Sequence, residues 1–103
     1  MSRAQVKGLL GLCARAGQIV LGTDQALKLV RRGGAACLLV DGQAAENTKK
    51  KLRDASLSHA SPLYELPAGL LDEACGQSGR MGAALREGTL SRQLITLLEP
   101  ANQ

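Results

Sequence analysis

Two hydrophobic periodicities meet at one glycine in the segment Gln18-Ile19-Val20-Leu21-Gly22-Thr23-Asp24-Gln25-Ala26-Leu27-Lys28. Its first four residues are mostly apolar and β-branched, which predicts a buried strand over 18–21. The apolar residues of 26–30 then recur at helical spacing. Gly22 therefore lies at a predicted strand-to-helix turn, where a residue without Cβ permits positive φ or close approach of another molecule.

The start of this helix has two interpretations. Thr23 or Asp24 is the predicted N-cap, and first-turn N–H groups that face outward attract phosphate and other anions. Gln25 can donate and accept hydrogen bonds, and Lys28 lies one turn further along the same face. An ordinary capped helix explains the same residues, so this segment alone leaves both interpretations open.

The rest of the chain alternates helical and strand patterns with short connections. The predicted helices are 2–16, 23–32, 46–55, 68–75 and a final helix from Thr89 or Ser91, and the predicted strands are 18–21, 36–40, 62–66 and 81–85. The continuously apolar 36–40 predicts a central strand that is covered on both faces. The pattern predicts one domain over 1–103, a three-layer α/β/α sandwich with a mixed sheet of about four strands.

Several predicted helix ends carry residues that typically begin or end a helix. Ser2 is the predicted N-cap of the first helix, and Gly17 is its predicted left-handed C-terminal residue. Thr89 or Ser91 is the predicted N-cap of the last helix. Pro100 is predicted to end the fold, because proline cannot continue a helix.

Charge is unevenly distributed along the chain, whose net charge is +4. Residues 1–53 hold ten basic and three acidic residues, whereas residues 54–103 hold three basic and six acidic ones. This asymmetry favours a polyanionic partner. Tyr64 is the only aromatic residue, which argues against modules that stack single-stranded RNA bases on several exposed rings.

The cysteines and the hydropathy of the sequence limit the classes of protein to which this chain can belong. Cys13, Cys37 and Cys75 are widely spaced among apolar residues, which predicts buried small side chains rather than a disulfide framework or a zinc site. No basic leader with a cleavage site precedes the first helix, and no apolar run approaches the roughly 18 residues of a membrane span. We therefore expect a cytoplasmic protein with no membrane association.

No arrangement of residues in the sequence predicts catalysis. His59 is the only histidine and is expected to be solvated, so neither a metal cluster nor a Cys–His pair is expected. Asp72 and Glu73 are adjacent and point in different directions, which makes a poor acid/base pair. We expect no enzyme, no metal and no cofactor, with a cysteine nucleophile as the weakest alternative.

The run Lys49-Lys50-Lys51, followed by Arg53, lies in the predicted third helix. Any single lysine there is ordinarily a solvated surface residue. Three consecutive lysines, together with Arg31 and Arg32, favour a surface that faces phosphates. Each phosphate that such a surface neutralises in a duplex adds about −0.9 to the salt dependence of binding.

Four longer stretches together form a recognisable pattern between Gln5 and Leu98. They are Leu9-Leu10-Gly11-Leu12-Cys13-Ala14-Arg15-Ala16-Gly17-Gln18-Ile19-Val20-Leu21-Gly22, then Thr23-Asp24-Gln25-Ala26-Leu27-Lys28 with Val30-Arg31-Arg32-Gly33, then Ala45-Glu46-Asn47-Thr48-Lys49-Lys50-Lys51, and Leu71-Asp72-Glu73-Ala74-Cys75-Gly76. This pattern resembles the YlxQ-like bacterial branch of the kink-turn RNA-binding ribosomal-protein superfamily.

The resemblance implies a three-layer sandwich and RNA binding without catalysis. In kink-turn binders, the glycine-led turn meets tandem sheared G·A pairs, and the loop before the last strand supports bulged nucleotides. By position, the first element comprises Gly22, Thr23, Asp24, Gln25 and Lys28, and the second comprises Gln77, Ser78, Gly79, Arg80 and Met81. Arg31, Lys49 and Lys50 complete the predicted RNA-binding residues as phosphate contacts.

Two features depart from the family pattern. Asp24 and Gln25 stand where kink-turn binders typically have Asn and then Glu, so the acid and the amide have exchanged places and the contacts to base edges change. Gly79 and Arg80 replace a tighter apolar set, and Arg80 can contact phosphate or stack on a base. The sequence supports RNA binding more strongly than kink-turn specificity.

The partner predicted from the sequence is a structured RNA, kink-turn-like or ribosomal. Ribosome-associated proteins are further expected partners, and the chain is expected to be a monomer. The alternative is a protein–protein adaptor that docks on a ribosome-associated or RNA-processing factor through the negative second half, with Asp72, Glu73 and Glu87 as its acidic residues.

Overall fold

The computed structural model describes residues 2–98. Within them, five helices alternate with four strands: α1 (Arg3–Arg15), β1 (Ile19–Leu21), α2 (Thr23–Arg31), β2 (Cys37–Asp41), α3 (Glu46–Ser58), β3 (Leu63–Leu66), α4 (Leu70–Cys75), β4 (Gly82–Leu85) and α5 (Thr89–Thr96). The strand order is β1-β4-β2-β3; β3 is parallel to β2, and the other neighbours are antiparallel. The predicted α/β fold with a mixed sheet is confirmed.

Alternate residues of β2 divide the core into two halves. Cys37 and Leu39 pack with buried residues of α1, α4 and α5, whereas Leu38 and Val40 pack with those of α2 and α3. Since successive side chains of a strand point to opposite faces, three helices cover one face of the sheet and two cover the other. All five residues of β2 are buried, so the central strand predicted over 36–40 is confirmed.

The end of β2 is tied to the start of α4 by a buried carboxylate. Asp41 is fully buried, and its carboxylate oxygens accept hydrogen bonds from the Gly69 N–H at 3.0 and 3.2 Å. The Gln43 N–H donates to the same group at 2.9 Å. A buried charge is tolerated where several N–H donors satisfy it, so Asp41 has a structural role.

The predicted caps of α1 are confirmed, and those of two other helices are wrong. Ser2 caps α1 by accepting from the Gln5 N–H at 3.1 Å, and Gly17 has a φ of 71°. The N-cap of α2 is Gly22 rather than Thr23 or Asp24, because the Gly22 carbonyl accepts the first helical hydrogen bond, from the Ala26 N–H at 2.9 Å. The Gly22 N–H is held by the Gly82 carbonyl of β4 at 2.8 Å.

The N-cap of α5 is Gly88, not Thr89 or Ser91. Ser91 is fully buried, and its hydroxyl lies 3.2 Å from Gln18 Oε1, so it cannot cap its own helix. Gln18 comes from the segment before β1, seventy-three positions earlier in the chain. A cap supplied from so far away leaves no local pattern in the sequence.

Other boundaries differ by a few residues. Helix α3 continues to Ser58 rather than ending at 55, because the buried Ser56 extends the face that begins at Leu52. The predicted stop at Pro100 lies outside the described residues. None of the helices within 2–98 has both the length and the hydropathy to cross a membrane.

Candidate nucleic-acid interface

The Gly22 turn connects β1 to α2 in a conformation that requires glycine. Its φ and ψ are 101° and 136°, a region that residues with a Cβ rarely adopt. Its N–H donates to the Gly82 carbonyl at 2.8 Å, and its carbonyl accepts from the Ala26 N–H at 2.9 Å. Thr23 then packs so closely on β4 that a Cβ at Gly82 would lie 2.7 Å from Thr23 Oγ1.

The loop 77–81 is shaped by one carboxylate of α4. Asp72 accepts hydrogen bonds from the backbone N–H groups of Gly79 at 2.9 Å and Arg80 at 2.8 Å. Arg80 Nε also donates to Gln77 Oε1 at 3.1 Å, and Gly79 has a φ of 75°. Charge-assisted bonds to two successive amides define the path of the loop in the absence of regular secondary structure.

Arg80 brings this loop to the Gly22 turn. One guanidinium nitrogen of Arg80 lies 3.4 Å from the position that a Cβ on Gly22 would occupy. An adjacent groove of about 520 Å³ extends from Arg80 and Gln77 to Arg15 and Leu21. The two elements that the sequence singles out are therefore neighbours at one end of the sheet.

The exposure of the predicted residues separates contact groups from packing groups. Four residues of the loop are exposed: Gln77, Ser78, Gly79 and Arg80. Met81 is half-buried and packs against the core on the α2–α3 face, and its carbonyl accepts from the Asp41 N–H at 2.8 Å. Gly22 and Thr23 are also half-buried, so they shape the surface more than they project from it.

The first turn of α2 presents hydrogen-bonding groups to solvent. Asp24, Gln25 and Lys28 are exposed, whereas Ala26 and Leu27 are buried against the sheet. The carboxylate of Asp24 already complements the positive end of the helix dipole. This chemistry suits hydrogen bonds to base edges, where an acid accepts and an amide does both, better than it suits an isolated phosphate.

Lys28 and Arg31 line a groove of about 630 Å³ between α2 and α3, together with Lys51. The sequence places Lys51 in the predicted phosphate-facing run, but the individual RNA-binding residues predicted from that run are Lys49 and Lys50. Its position follows from helical spacing, because Lys51 shares the α2-facing side of α3 with Asp54 and other residues four and seven positions along. The three lysines are adjacent in the sequence, but the helix places them on different faces.

The two predicted lysines of this run have acidic partners elsewhere. Lys49 Nζ lies 3.8 Å from Glu65 on β3, and its side chain is only 18% exposed. Lys50 Nζ lies 3.2 Å from Asp54, one turn along the same helix. The structure therefore does not bring Lys49 and Lys50 together with the Gly22 turn, and their role in RNA binding stays a prediction.

The acidic residues of the adaptor alternative are engaged within the chain. Asp72 holds the loop 77–81, as described above. Glu73 accepts hydrogen bonds at 2.8 Å from Lys7 Nζ and from Arg3, and the bonds from Lys7 and then Arg3 lower the pKa of its carboxyl. Glu87 lies 3.9 Å from Arg92. All three acidic residues have partners within the chain. The negative charge of the second half therefore no longer favours an acidic docking surface.

The cysteines are unsuited to nucleophilic chemistry. Cys13 and Cys37 are buried as predicted, whereas Cys75 is half-buried. Burial raises the pKa of the Cys37 thiol to about 12, and it also raises the pKa of Cys13 and Cys75. Because the thiolate is the nucleophile, a neutral thiol at pH 7 is inert. His59, the exposed residue after α3, lies at the far end of the α2–α3 groove.

Comparison with known proteins identifies the family. The model of the Ribosomal protein L7Ae/L30e/S12e/Gadd45 family matches residues 4–94. The chain belongs to this family. It is 30% identical over 92 residues to the RNA-binding protein YlxQ of Bacillus subtilis (strain 168). The aligned residues make up 88% of this chain and 92% of that protein. A second RNA-binding protein YlxQ, from Enterococcus faecium, is 35% identical over 65 residues, 63% of each chain.

Solved structures share the same fold. A protein with unknown function from Bacillus halodurans C superimposes with a TM-score of 0.84 at 33% identity, over 91% of this chain and 96% of that one. The Giardia lamblia 15.5kD RNA binding protein superimposes with a TM-score of 0.74 at 20% identity, over 91% of this chain and 81% of that one. At this identity the likeness shows the fold alone. The predicted YlxQ-like branch is confirmed, and both YlxQ relatives are named RNA-binding proteins.

Proposed function

We propose that this chain is a non-catalytic RNA-binding protein that recognises a structured RNA, of the kink-turn type or within ribosomal RNA. The observation that supports it most directly is the position of Arg80 beside the Gly22 turn, with one guanidinium nitrogen 3.4 Å from where a Cβ on Gly22 would lie. It makes one surface from two segments that are both rich in exposed hydrogen-bonding groups. The family and the YlxQ relatives support RNA as the class of ligand.

The two elements have different parts in this proposal. At the first turn of α2, Asp24 and Gln25 bond base edges, because a carboxylate accepts from base amino groups and an amide both donates and accepts. In the loop 77–81, Arg80 stacks on an extruded base or bonds a phosphate, and Gln77 orients it. Thr23, Ser78 and Gly79 shape the surface, with Met81 beneath it.

The basic side chains of α2 supply the sequence-independent part of binding. Lys28 and Arg31 are exposed one turn apart, and they extend from the Gly22 turn along the helix. Lys49 and Lys50 are proposed as weaker contacts, since each must exchange an acidic partner for a phosphate. Exposed ion pairs are worth about 0–1 kcal/mol, so the exchange has a small cost.

The cellular setting is proposed on the same basis. A basic protein of a ribosomal-protein family is suited to act as a monomer on ribosomal RNA or with ribosome-associated proteins in the cytoplasm. The adaptor alternative is not proposed, because its acidic residues already have partners in the fold.

Titration calorimetry with two RNAs tests this function. One RNA carries a kink-turn, and the other has the same length with Watson–Crick pairs in place of the G·A pairs. We expect submicromolar affinity for the first, clear preference over the second, and weaker binding in higher salt. Equal affinity for both RNAs would contradict kink-turn recognition, and no binding to either would contradict the function.

A matched pair of glutamine variants tests the division of roles. Gln25→Ala removes contacts to base edges, so we expect the preference for the kink-turn RNA to fall by at least about fivefold. Gln93→Ala is the control, because Gln93 is exposed on α5, on the other face of the sheet. An equal loss of preference in both variants would show that the first turn of α2 does not read the RNA.

A further inference from the structure

The α2–α3 groove, lined by Asp24, Lys28, Arg31, Lys51, Asp54 and His59, has a chemistry of its own. We propose that it holds the phosphates of an RNA stem that flanks the motif at the Gly22 turn. This proposal rests on the proposed function and deepens it, because it names a second contact surface and the part of the RNA that occupies it.

The groove is continuous with the Gly22 turn. Asp24 lies in the first turn of α2, two residues after Gly22, and it forms one end of the groove. Arg31, the last residue of α2, lies near the other end. Seven residues of α-helix separate them, a distance of about 10 Å. An RNA bound at the turn therefore meets the groove without leaving the surface of the protein.

The basic side chains that line this groove are not neutralised by neighbouring acids in the described part of the chain. Lys28, Arg31 and Lys51 are exposed, and none of them has an acidic partner within 4.0 Å among residues 2–98. Lys49 and Lys50, on other faces of the same helix, are both paired. Three free cations along one groove are the arrangement that a polyanion requires.

The two acidic residues of the groove are partly compensated. Asp54 is bonded to Lys50 Nζ at 3.2 Å from outside the groove. Asp24 lies at the positive end of the α2 dipole. The charge left facing solvent is therefore dominated by the three basic side chains, which favours phosphate over a cationic or neutral ligand.

The shape of the groove favours a nucleic-acid backbone over an enclosed small molecule. Leu27 is buried and Ala55 is half-buried, so the floor is apolar and shallow, and the charged groups stand along the rims. Small-molecule sites bury most of their ligand in a concave pocket. Contacts from rim lysines and an arginine to phosphates position the RNA without reading its sequence.

Salt-dependent binding of matched variants tests the proposal. The full chain is titrated with a kink-turn RNA that has long flanking stems, from about 50 to 200 mM salt. Lys51→Gln and Arg31→Gln remove groove charges, while Arg53→Gln and Arg86→Gln make the same charge change at exposed positions outside the groove. Each groove variant should lower the salt slope by about 0.9, so its affinity loss over this range becomes about threefold smaller.

The charge-preserving substitution Lys51→Arg should retain the slope of the unmodified chain. A second RNA, with the stems shortened to the motif itself, should reduce the difference between the groove variants and their controls. If Lys51→Gln and Arg53→Gln have the same slope on the long-stemmed RNA, the groove proposal is overturned, whatever the affinity of the unmodified chain.

The outcomes separate this proposal from the proposed function. If the chain prefers the kink-turn RNA but the groove variants keep its salt slope, only the groove proposal is overturned. Lowered slopes without any preference for the kink-turn support the groove and contradict kink-turn recognition. Absence of RNA binding by the unmodified chain overturns both.

Discussion

Helices α2 and α5 both begin at a glycine that follows a strand, and the two starts are built in opposite ways. At α5, Gln18 Oε1 accepts from the Ser91 N–H at 3.1 Å and lies 3.2 Å from the Ser91 hydroxyl. Ser91 is fully buried. At α2, Gly22 has no side-chain cap, and the next exposed residues are Asp24 and Gln25.

The comparison sets a helix start that is satisfied within the fold against one that we propose to bind RNA. The first N–H groups of a helix have no partner within the helix, so they must be satisfied by a side chain, by water or by a ligand. The start of α5 is closed by Gln18. The start of α2 stays open beside Arg80, which is the arrangement expected of a ligand-binding helix start.

The largest expected effect comes from Gly22→Ala. Because φ is 101° at this position, we expect the free energy of unfolding to fall by about 1–3 kcal/mol. The strained turn would relax, and the new Cβ would lie 3.4 Å from an Arg80 nitrogen within the proposed RNA-binding surface, so we expect RNA affinity to fall by at least about tenfold. Urea denaturation and RNA titration measure the two effects.

Gly33→Ala is the matched control for this variant. Gly33 follows the other end of α2 with a φ of 75°, and a Cβ there meets nothing within 4 Å. We expect a stability loss of about 1 kcal/mol and unchanged RNA affinity. Equal losses of affinity in the two variants would mean that the Gly22 turn acts only through stability.

The closed start of α5 is tested by Gln18→Ala. Removing the acceptor leaves a buried N–H and hydroxyl of Ser91 unsatisfied, so we expect a loss of about 1–2 kcal/mol in unfolding free energy. RNA affinity should not change, because α5 lies on the other face of the sheet. Gln18→Glu keeps an acceptor at a helix N-terminus and should retain most of the stability. A drop in RNA affinity for Gln18→Ala would remove the distinction between the two starts.

Asp72→Ala has a smaller expected effect on stability and a specific one on binding. The loop 77–81 loses the acceptor for two amides, but it is exposed, so unfolding free energy should fall by less than about 1 kcal/mol. We expect faster hydrogen exchange at Gly79 and Arg80, together with a weaker preference for kink-turn RNA. Unchanged exchange at these amides would show that Asp72 does not hold the loop.

The smallest expected effect concerns Glu73, which touches neither helix start. Bonds from Lys7 and Arg3 lower its pKa, so its contribution is present above the ordinary pKa of a glutamate and is lost as pH falls through the lowered value. The unmodified chain should therefore lose slightly more stability on acidification than Glu73→Gln. Denaturation at about pH 7 and pH 3 measures this difference. Identical losses would show that the two ion pairs contribute nothing.

Much of this architecture is predictable because it depends on local patterns. The unbroken apolar run at 36–40 needs cover on both faces, and β2 has it. The Ser2 cap and the left-handed Gly17 were also predictable, since both depend on residues within one helical turn. The Gly22 turn and the loop 77–81 were identified on similar grounds, from a glycine between two periodicities and from a family pattern.

The wrong caps have a common physical cause. Thr89 and Ser91 look like capping residues in sequence, yet the acceptor at that helix start comes from Gln18 at the other end of the chain. Likewise, Thr23 resembles a cap, but the Gly22 N–H bonds β4 and moves the helix start by one residue. In both helices a residue distant in the sequence helps to set where the helix starts, and the local spacing of residues does not reveal that partner.

By itself, the sequence determined the order of helices and strands, the central position of 36–40 and the glycine at the start of α2. These features follow from hydrophobic periodicity and from the backbone freedom of glycine, which act within a few residues. Only the tertiary structure decided the strand order β1-β4-β2-β3, the position of Arg80 beside the Gly22 turn and the placement of Lys51 rather than Lys50 beside α2. Those depend on which faces pack together, and packing joins residues that are distant in the chain.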